Sequence, residues 1–494
     1  HYRSYGETQE YMRQKEIFMP TEFLHGLYDG GHGAGLKDYW DMMMANPRCA
    51  GGFLWDLMDQ GVVRTDKNNY VDCMGNFGAD GIVGPHAEKE GSYYTIKEVW
   101  CPVQLTWNDV EKGELTLSNQ YNFVNLKDCR FSYRLLQMPA MGSTQVKVLK
   151  QGNLSSPDVA PGKETQVKIP MMANADAVEI KAVNHEGEEI MIWSRGVKSE
   201  ERSVKNSSAS SASSAAYADQ ADAVEVKAGG RTYRFAKKDG RLMGVEVGSK
   251  AISLSNGPRF MAARRSDRSL DQFYNHDDKE AEKKKTLYTE FVDQGAFAGF
   301  EWKEAEAKLV ATYQHGSLDE LDWQFLSDGS VAVTCHYNFG GVVDMMGMAF
   351  DYPESKVRSK AWVGNGPYRV WQNREQGPQY GYWQNDYNDP IPAESWDYPE
   401  FKGYFANVKW MQFKTDEGKI GFSGLTADEH MGVYTPRDGR DGLLYTLPQT
   451  GLAVFKVIPS VRNKVNTTDL NGPSAQPKWL NGKGKTVFTL NFEL

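Results

Sequence analysis

Ile17-Phe-Met-Pro-Thr-Glu-Phe-Leu-His25 runs directly into Gly26-Leu-Tyr-Asp-Gly-Gly-His-Gly-Ala-Gly35. A short apolar run stops at one carboxylate, Glu22. His25 follows three residues later, and then comes a stretch too rich in glycine to be core. A working carboxylate is presented in this way at the carboxyl end of a barrel strand, rigid below and mobile beyond. Taken alone, a Glu is more often a solvated surface group. The blocks downstream decide between the two readings.

At 494 residues the chain is too long for one core and calls for two to four domains. Its 13 Trp, 25 Tyr and 22 Phe favour all-β modules, sugar-facing surfaces, or both. A net charge of −9 without a basic stripe argues against nucleic acid or an anionic membrane as a partner. No apolar run approaches the roughly 20 residues that a membrane span needs. Cys49, Cys73, Cys101, Cys129 and Cys335 show neither a CxxC pair nor metal-ligand spacing, and read as free buried thiols. They leave the compartment open, cytoplasm and periplasm alike.

Beyond the glycine-rich stretch, Leu36, Tyr39, Trp40 and Met43 fall at i, i+3, i+4 and i+7, an amphipathic helix that Pro47 ends. Gly51-Gly-Phe-Leu-Trp-Asp-Leu-Met-Asp-Gln60 is a second apolar run stopping at polar groups. Strand, loop, helix and strand make a βαβ piece of a parallel α/β unit. From about Val99 the pattern alternates apolar with polar: Val103–Trp107, Glu114–Ser118, Thr144–Val148, Gln166–Ile169 and Val178–Ala182. About 95 residues of this kind fit an immunoglobulin-like β-sandwich. A Ser/Ala tract, Asn206–Ala216, then marks a linker over 198–221. Residues 222–494 read as strands almost throughout, with Asp277–Lys285 as a solvated loop, which predicts a large β-sandwich.

Several blocks, in order and at matching spacing, resemble the multidomain β-galactosidase branch of the family-2 glycoside hydrolases. They are Thr21-Glu-Phe-Leu-His25, Gly35-Leu-Lys-Asp-Tyr-Trp40, Gly51–Gln60, Asn76-Phe-Gly-Ala-Asp-Gly-Ile82 and Tyr94–Val103. The resemblance implies a mainly β multidomain protein. Residues 1–100 would be the C-terminal part of a (β/α)8 catalytic barrel and 101–197 an immunoglobulin-like sandwich. After the linker, 222–494 would form a galactose-mutarotase-like β-supersandwich. It also implies a retaining exo-β-glycosidase acting on oligo- or polysaccharides that carry a terminal β-linked sugar. Glu22 is similar to the family's nucleophile and His25 to a sugar-binding histidine. Trp55 resembles the aromatic floor of the sugar subsite. Asp80 falls where the family places a polar sugar contact, and Phe77 where a backbone carbonyl meets sodium. Magnesium and sodium would belong to the intact enzyme, with no cofactor held wholly within this chain.

Two departures from the family stand out. Its acid/base Glu lies on the fourth barrel strand, and only 21 residues precede Glu22 here. The partner carboxyl is therefore expected from an upstream part of the barrel, without which the chain would be incomplete as a hydrolase. The family's Gly-Gly-Asp-Phe-Gly-Asp segment is also shortened, in Val71–Asp80, which loosens the link to galactose as the sugar.

Plainer readings stand beside these. Trp55 could pack the barrel floor, and His25 could tie down its loop. Asp56 and Asp59 could orient a strand end and cap turns, while His32 and its glycines could form a mobile rim. Eleven of the 38 Trp and Tyr lie between Trp362 and Trp410, as sandwich core, sugar platform or packing onto the barrel. As a whole, the chain could instead be a non-catalytic carbohydrate-binding or scaffolding fragment. A third reading makes the β-domains contacts of a homo-oligomer.

Overall fold

The computed structural model describes the chain except residues 27–30, 73–77, 79, 90, 198–214, 266–287, 292, 387–402, 435–447, 449, 462, 464–465 and 467. Helix α1 (Tyr5–Met12) opens on a capping box. The Ser4 hydroxyl accepts from the Glu7 N–H, and the Glu7 carboxylate accepts from the Ser4 N–H at 2.9 Å. Helix α2 (Leu36–Met44) buries Leu36, Tyr39 and Met43, the apolar spacing seen in the sequence, with Trp40 half-buried beside Trp100. It starts from Gly35 at φ 75°, a left-handed conformation that costs glycine little.

The two apolar runs flanking α2 do lie parallel, through Phe18–Cys49 and Phe23–Leu54, but as isolated bridges rather than continuous strands. Pro20 has no N–H to give the ladder, and Gly51 at φ 90° turns the facing chain away from it. A third parallel bridge joins Met58 to Val83. A short hairpin, β1 (Val62–Arg64) with β2 (Tyr70–Asp72), and helix α3 (Gly91–Val99) complete this segment.

Seven strands follow, all paired antiparallel: β3 (Val103–Asp109), β4 (Glu114–Asn119), β5 (Arg130–Gln137), β6 (Lys147–Leu154), β7 (Glu164–Lys168), β8 (Ala177–Val183) and β9 (Glu189–Gly196). They form a three-stranded sheet, β3-β4-β7, and a four-stranded sheet, β6-β5-β8-β9. Leu115 and Leu117 of the first share one core with Phe131, Leu135 and Ile180 of the second. Strand β6 begins later than the alternation at 144–148 predicts, after a turn closed by the Ser143 N–H on the Ala140 carbonyl.

The remaining chain builds an eleven-stranded and a nine-stranded sheet, with every pairing among the described residues antiparallel. Aromatic side chains fill their common core. Trp323, Trp362, Phe260, Phe325 and Phe350 are fully buried, each contributing roughly 1.5–3 kcal/mol by area. Part of the stretch expected as linker is in fact strand. Ala216–Asp219 pairs with Ala223–Ala228, and Tyr217 stacks on Trp302 at 5.7 Å, a single aromatic anchor that composition does not reveal. The charged run 277–285 lies outside the described residues. The molecule is a multidomain, mainly β protein.

The aromatic band after Trp362 divides between two jobs. Trp362 is core, edge-on to Phe405 at 5.0 Å. Tyr368 faces the first hundred residues, stacked on Tyr94 of α3 at 4.7 Å. Residues 387–402 of the band lie outside the described residues.

Candidate active site

Glu22 and Trp55 flank the same parallel bridge, Phe23 with Leu54, Glu22 preceding it on one run and Trp55 following it on the other. The Phe23 N–H donates to the Phe53 carbonyl at 3.0 Å, fixing the two runs side by side. The Glu22 side chain is 28% exposed, and its Oε1 lies 3.9 Å from Nδ1 of His1. It is thus open to a ligand while its backbone is held, its carbonyl accepting from the Tyr2 N–H at 2.9 Å.

Three of the residues singled out in the sequence meet around one buried carboxylate. Asp80 accepts the indole N–H of Trp55 on Oδ2 at 3.2 Å, and the same oxygen lies 3.6 Å from Nε2 of His25. His25 and Asp80 are buried, whereas Trp55 keeps 39% of its surface exposed. One edge of the indole is therefore anchored while much of its surface stays accessible, the geometry an aromatic floor requires. Phe77 lies outside the described residues.

Two further carboxylates close around this group. The Asp56 N–H donates to the Asp80 carbonyl at 3.0 Å, and Asp59 accepts the Gly81 N–H at 2.8 Å. Burial, with the charge of Asp80 next, pushes the Asp56 carboxyl up to about 6. Burial pushes Asp59 up to about 7; the Gly81 N–H pulls the other way, and Asp80, Asp56 and Glu88 add repulsion. Asp59 does not cap a local turn here: the N–H it accepts belongs to Gly81, well along the chain, and the repulsion among these carboxylates is not written in the sequence.

His32 is not at a rim. It is fully buried, and its Nε2 hydrogen-bonds the Trp55 carbonyl. The sequence signal was there but pointed the other way, because a histidine between glycines reads as exposed.

The terminal sheets hold this region from behind. The Gly35 N–H donates to the Asn373 carbonyl at 2.8 Å, and Asp38 accepts from the Ser474 N–H at 2.7 Å and hydroxyl at 2.6 Å. Thr95 donates its hydroxyl to the Gln376 carbonyl at 2.9 Å, and the Gly377 N–H donates to Glu98 at 2.6 Å. A Cβ added at Gly33 would stand 2.8 Å from Cδ of the buried Arg374, so glycine there permits the close approach.

A family model described as the β-galactosidase small chain matches residues 227–452, and one described as β-galactosidase domain 4 matches 115–193. A β-galactosidase of Oenococcus oeni is 19% identical over 504 residues, covering 93% of this chain and 47% of the relative. A β-galactosidase of Priestia megaterium is 27% identical over 126 residues, 23% of this chain and 12% of the relative. One of Pectobacterium atrosepticum is 29% identical over 113 residues, 21% of this chain and 11% of the relative. The chain thus spans about half the length of the Oenococcus relative, at 47%. Among solved structures, a galactose 1-epimerase from Lactobacillus acidophilus matches with a TM-score of 0.32 at 9% identity, over 57% of this chain and 98% of its own. No helix among the described residues is long and apolar enough to cross a membrane.

Proposed function

We propose, from the premise that the chain belongs to the β-galactosidases and carries their domain 4 and small-chain regions, that it is the C-terminal portion of a retaining exo-β-glycosidase. The observation that carries this reading is the parallel bridge of Phe23 with Leu54, which lays the runs bearing Glu22 and Trp55 side by side, with the indole edge fixed by Asp80. A partly exposed carboxylate and an anchored aromatic surface on adjoining runs match what the chemistry needs.

A terminal β-linked sugar would lay its C–H face on Trp55, with His25 near its hydroxyls. In the first displacement a Glu22 oxygen bonds to the anomeric carbon as the bond to the leaving oxygen breaks. A second carboxyl, contributed by the upstream part of the barrel, gives that oxygen its proton. In the second displacement water attacks the same carbon, returns a proton to the second group, and frees Glu22 as carboxylate. Two inversions retain the configuration. The magnesium and sodium of such an enzyme belong to this proposal for the intact protein. In the described part of the site, Asp59 and Asp80 are engaged by backbone and indole N–H groups.

The test is hydrolysis of aryl β-galactosides by this chain, alone and with the upstream barrel segment supplied. The expected result is turnover only in the supplied sample, falling by a factor of at least about 10³ in Glu22→Gln. Turnover that survives Glu22→Gln overturns the nucleophile assignment. Sugar binding without turnover in either sample would favour a carbohydrate-binding fragment.

A further inference from the structure

His32 is a buried titratable group of this region that the reaction above does not use. Its side chain has no solvent exposure, and Nε2 meets the backbone carbonyl of Trp55. A carbonyl only accepts, so Nε2 must carry the proton. If the ring is neutral, Nδ1 is then a bare lone pair. Burial favours that neutral ring, pushing its pKa down to about 4. Among the described residues nothing hydrogen-bonds Nδ1. A single-ended contact of this kind serves the one group it touches.

The ring's place in the fold explains what it transmits. Its neighbour Gly33 packs against the buried Arg374 and against Thr95 of α3. Two residues further, Gly35 is bonded to Asn373. The 31–35 turn is thus pinned between α3 and the 369–374 turn of the terminal sheets. Trp55 itself is held at two points, its indole N–H on Asp80 and its carbonyl on His32.

We propose that His32 is a positioning residue, whose Nε2–H fixes the main chain of Trp55 and so lets the terminal β-domain set the angle of the aromatic floor. The role as a sugar floor rests on the reading under Proposed function; the positioning of Trp55 does not.

The experiment uses the full chain labelled with 5-fluorotryptophan, the Trp55 resonance being assigned by its loss in Trp55→Phe. In His32→Ala the Trp55 signal is expected to move or broaden while the signals of the other twelve tryptophans stay in place (13 in the chain, less Trp55). His32→Gln, which offers an amide N–H at similar reach, is expected to restore it. An unmoved Trp55 signal in His32→Ala overturns the proposal, and so does failure of Gln to restore it where Ala has moved it. Should His32→Ala not fold, imidazole ¹⁵N shifts of the unmutated chain decide. A neutral Nε2–H ring for His32 supports the contact, while a charged or Nδ1–H ring refutes it.

Methyl β-D-galactopyranoside separates this proposal from the functional one. With the upstream segment supplied, the sugar is expected to perturb the Trp55 signal and to bind up to about tenfold more weakly to His32→Ala, the worth of one net hydrogen bond. A Trp55 signal that responds to His32 but not to the sugar would sink the sugar-floor reading and leave the positioning intact.

Discussion

The indole N–H of Trp55 points into the buried carboxylate of Asp80, 3.2 Å away. An exposed aromatic face is held at its indole edge by a group that solvent does not reach. Removing that group has consequences on two scales. Asp80→Ala is expected to lower stability by about 1–3 kcal/mol in urea unfolding, the cost of stranding buried donors. Asp80→Asn keeps an acceptor and should cost less. Both should bring the Asp56 titration below its value of about 6, because the Asp80 charge is one of its two upward causes. Carbon-detected titration of the Asp side chains reads this directly, and an unmoved Asp56 would contradict it.

Asp59 carries a pH dependence whose sign can be worked out. Its carboxyl lies at about 7 in the fold, against an ordinary value of 3.8. The folded state therefore holds the proton more tightly than the unfolded one. The stability this supplies is complete below about pH 4 and is lost as pH rises through about 7. Asp59→Asn keeps the oxygen that accepts from Gly81 and removes the charge. It should match the parent near pH 4 and exceed it by roughly 2–4 kcal/mol above pH 8. His32 and His430, both pushed down to about 4 by burial, act in the opposite sense as pH falls below 6.5. Comparing variant with parent at each pH cancels them.

Gly35 is required by its backbone as well as by its surroundings. Alanine there would hold φ 75° and place its Cβ 2.7 Å from the Asn471 carbonyl oxygen. Gly35→Ala is expected to cost at least about 2 kcal/mol, left-handed strain plus displacement of a main-chain neighbour. Gly142→Ala is the control: φ is 83° but nothing lies within 4 Å, so about 1 kcal/mol is expected in thermal unfolding.

Asp38 ties α2 to the terminal sheets through both the N–H and the hydroxyl of Ser474. Asp38→Ala should raise amide exchange across α2 and lower stability by about 1–3 kcal/mol. Ser474→Ala should do less, since its backbone N–H still donates to Asp38. Equal effects from the two variants would show that the hydroxyl alone carries the tie.

Much of the fold was legible where one period dominates. The helix around Leu36, Tyr39 and Met43 follows from side chains falling on one face. The strands Val331–Asn338 and Lys483–Glu493 follow from strict alternation. What stayed hidden was set by distant parts of the chain. Ala216–Asp219 becomes a strand because its backbone finds Ala223–Ala228, and the run 17–23 shrinks to bridges because Pro20 interrupts it. In the site, Glu22, His25 and Trp55 were singled out by the resemblance of their blocks to a known family, since residue types alone left plainer readings open. The burial of His32 could not be read in this way, because the turn that carries it is closed in by distant chain, its neighbour Gly33 packing against Thr95 and Arg374.

The docking of the first hundred residues onto the terminal sheets also constrains how such chains can diverge. In the bonds Gly35–Asn373, Ser474–Asp38, Thr95–Gln376 and Gly377–Glu98, at least one partner is a main-chain atom. Main-chain groups are the same in nearly every amino acid, so drift at Asn373, Gln376 or Ser474 leaves an acceptor or donor in place. Proline at 474 is the exception, since it would remove the donor. A junction written largely in backbone can outlast the side chains around it. The 19% identity of the Oenococcus relative across 93% of the chain is the scale of side-chain drift such a junction tolerates in principle.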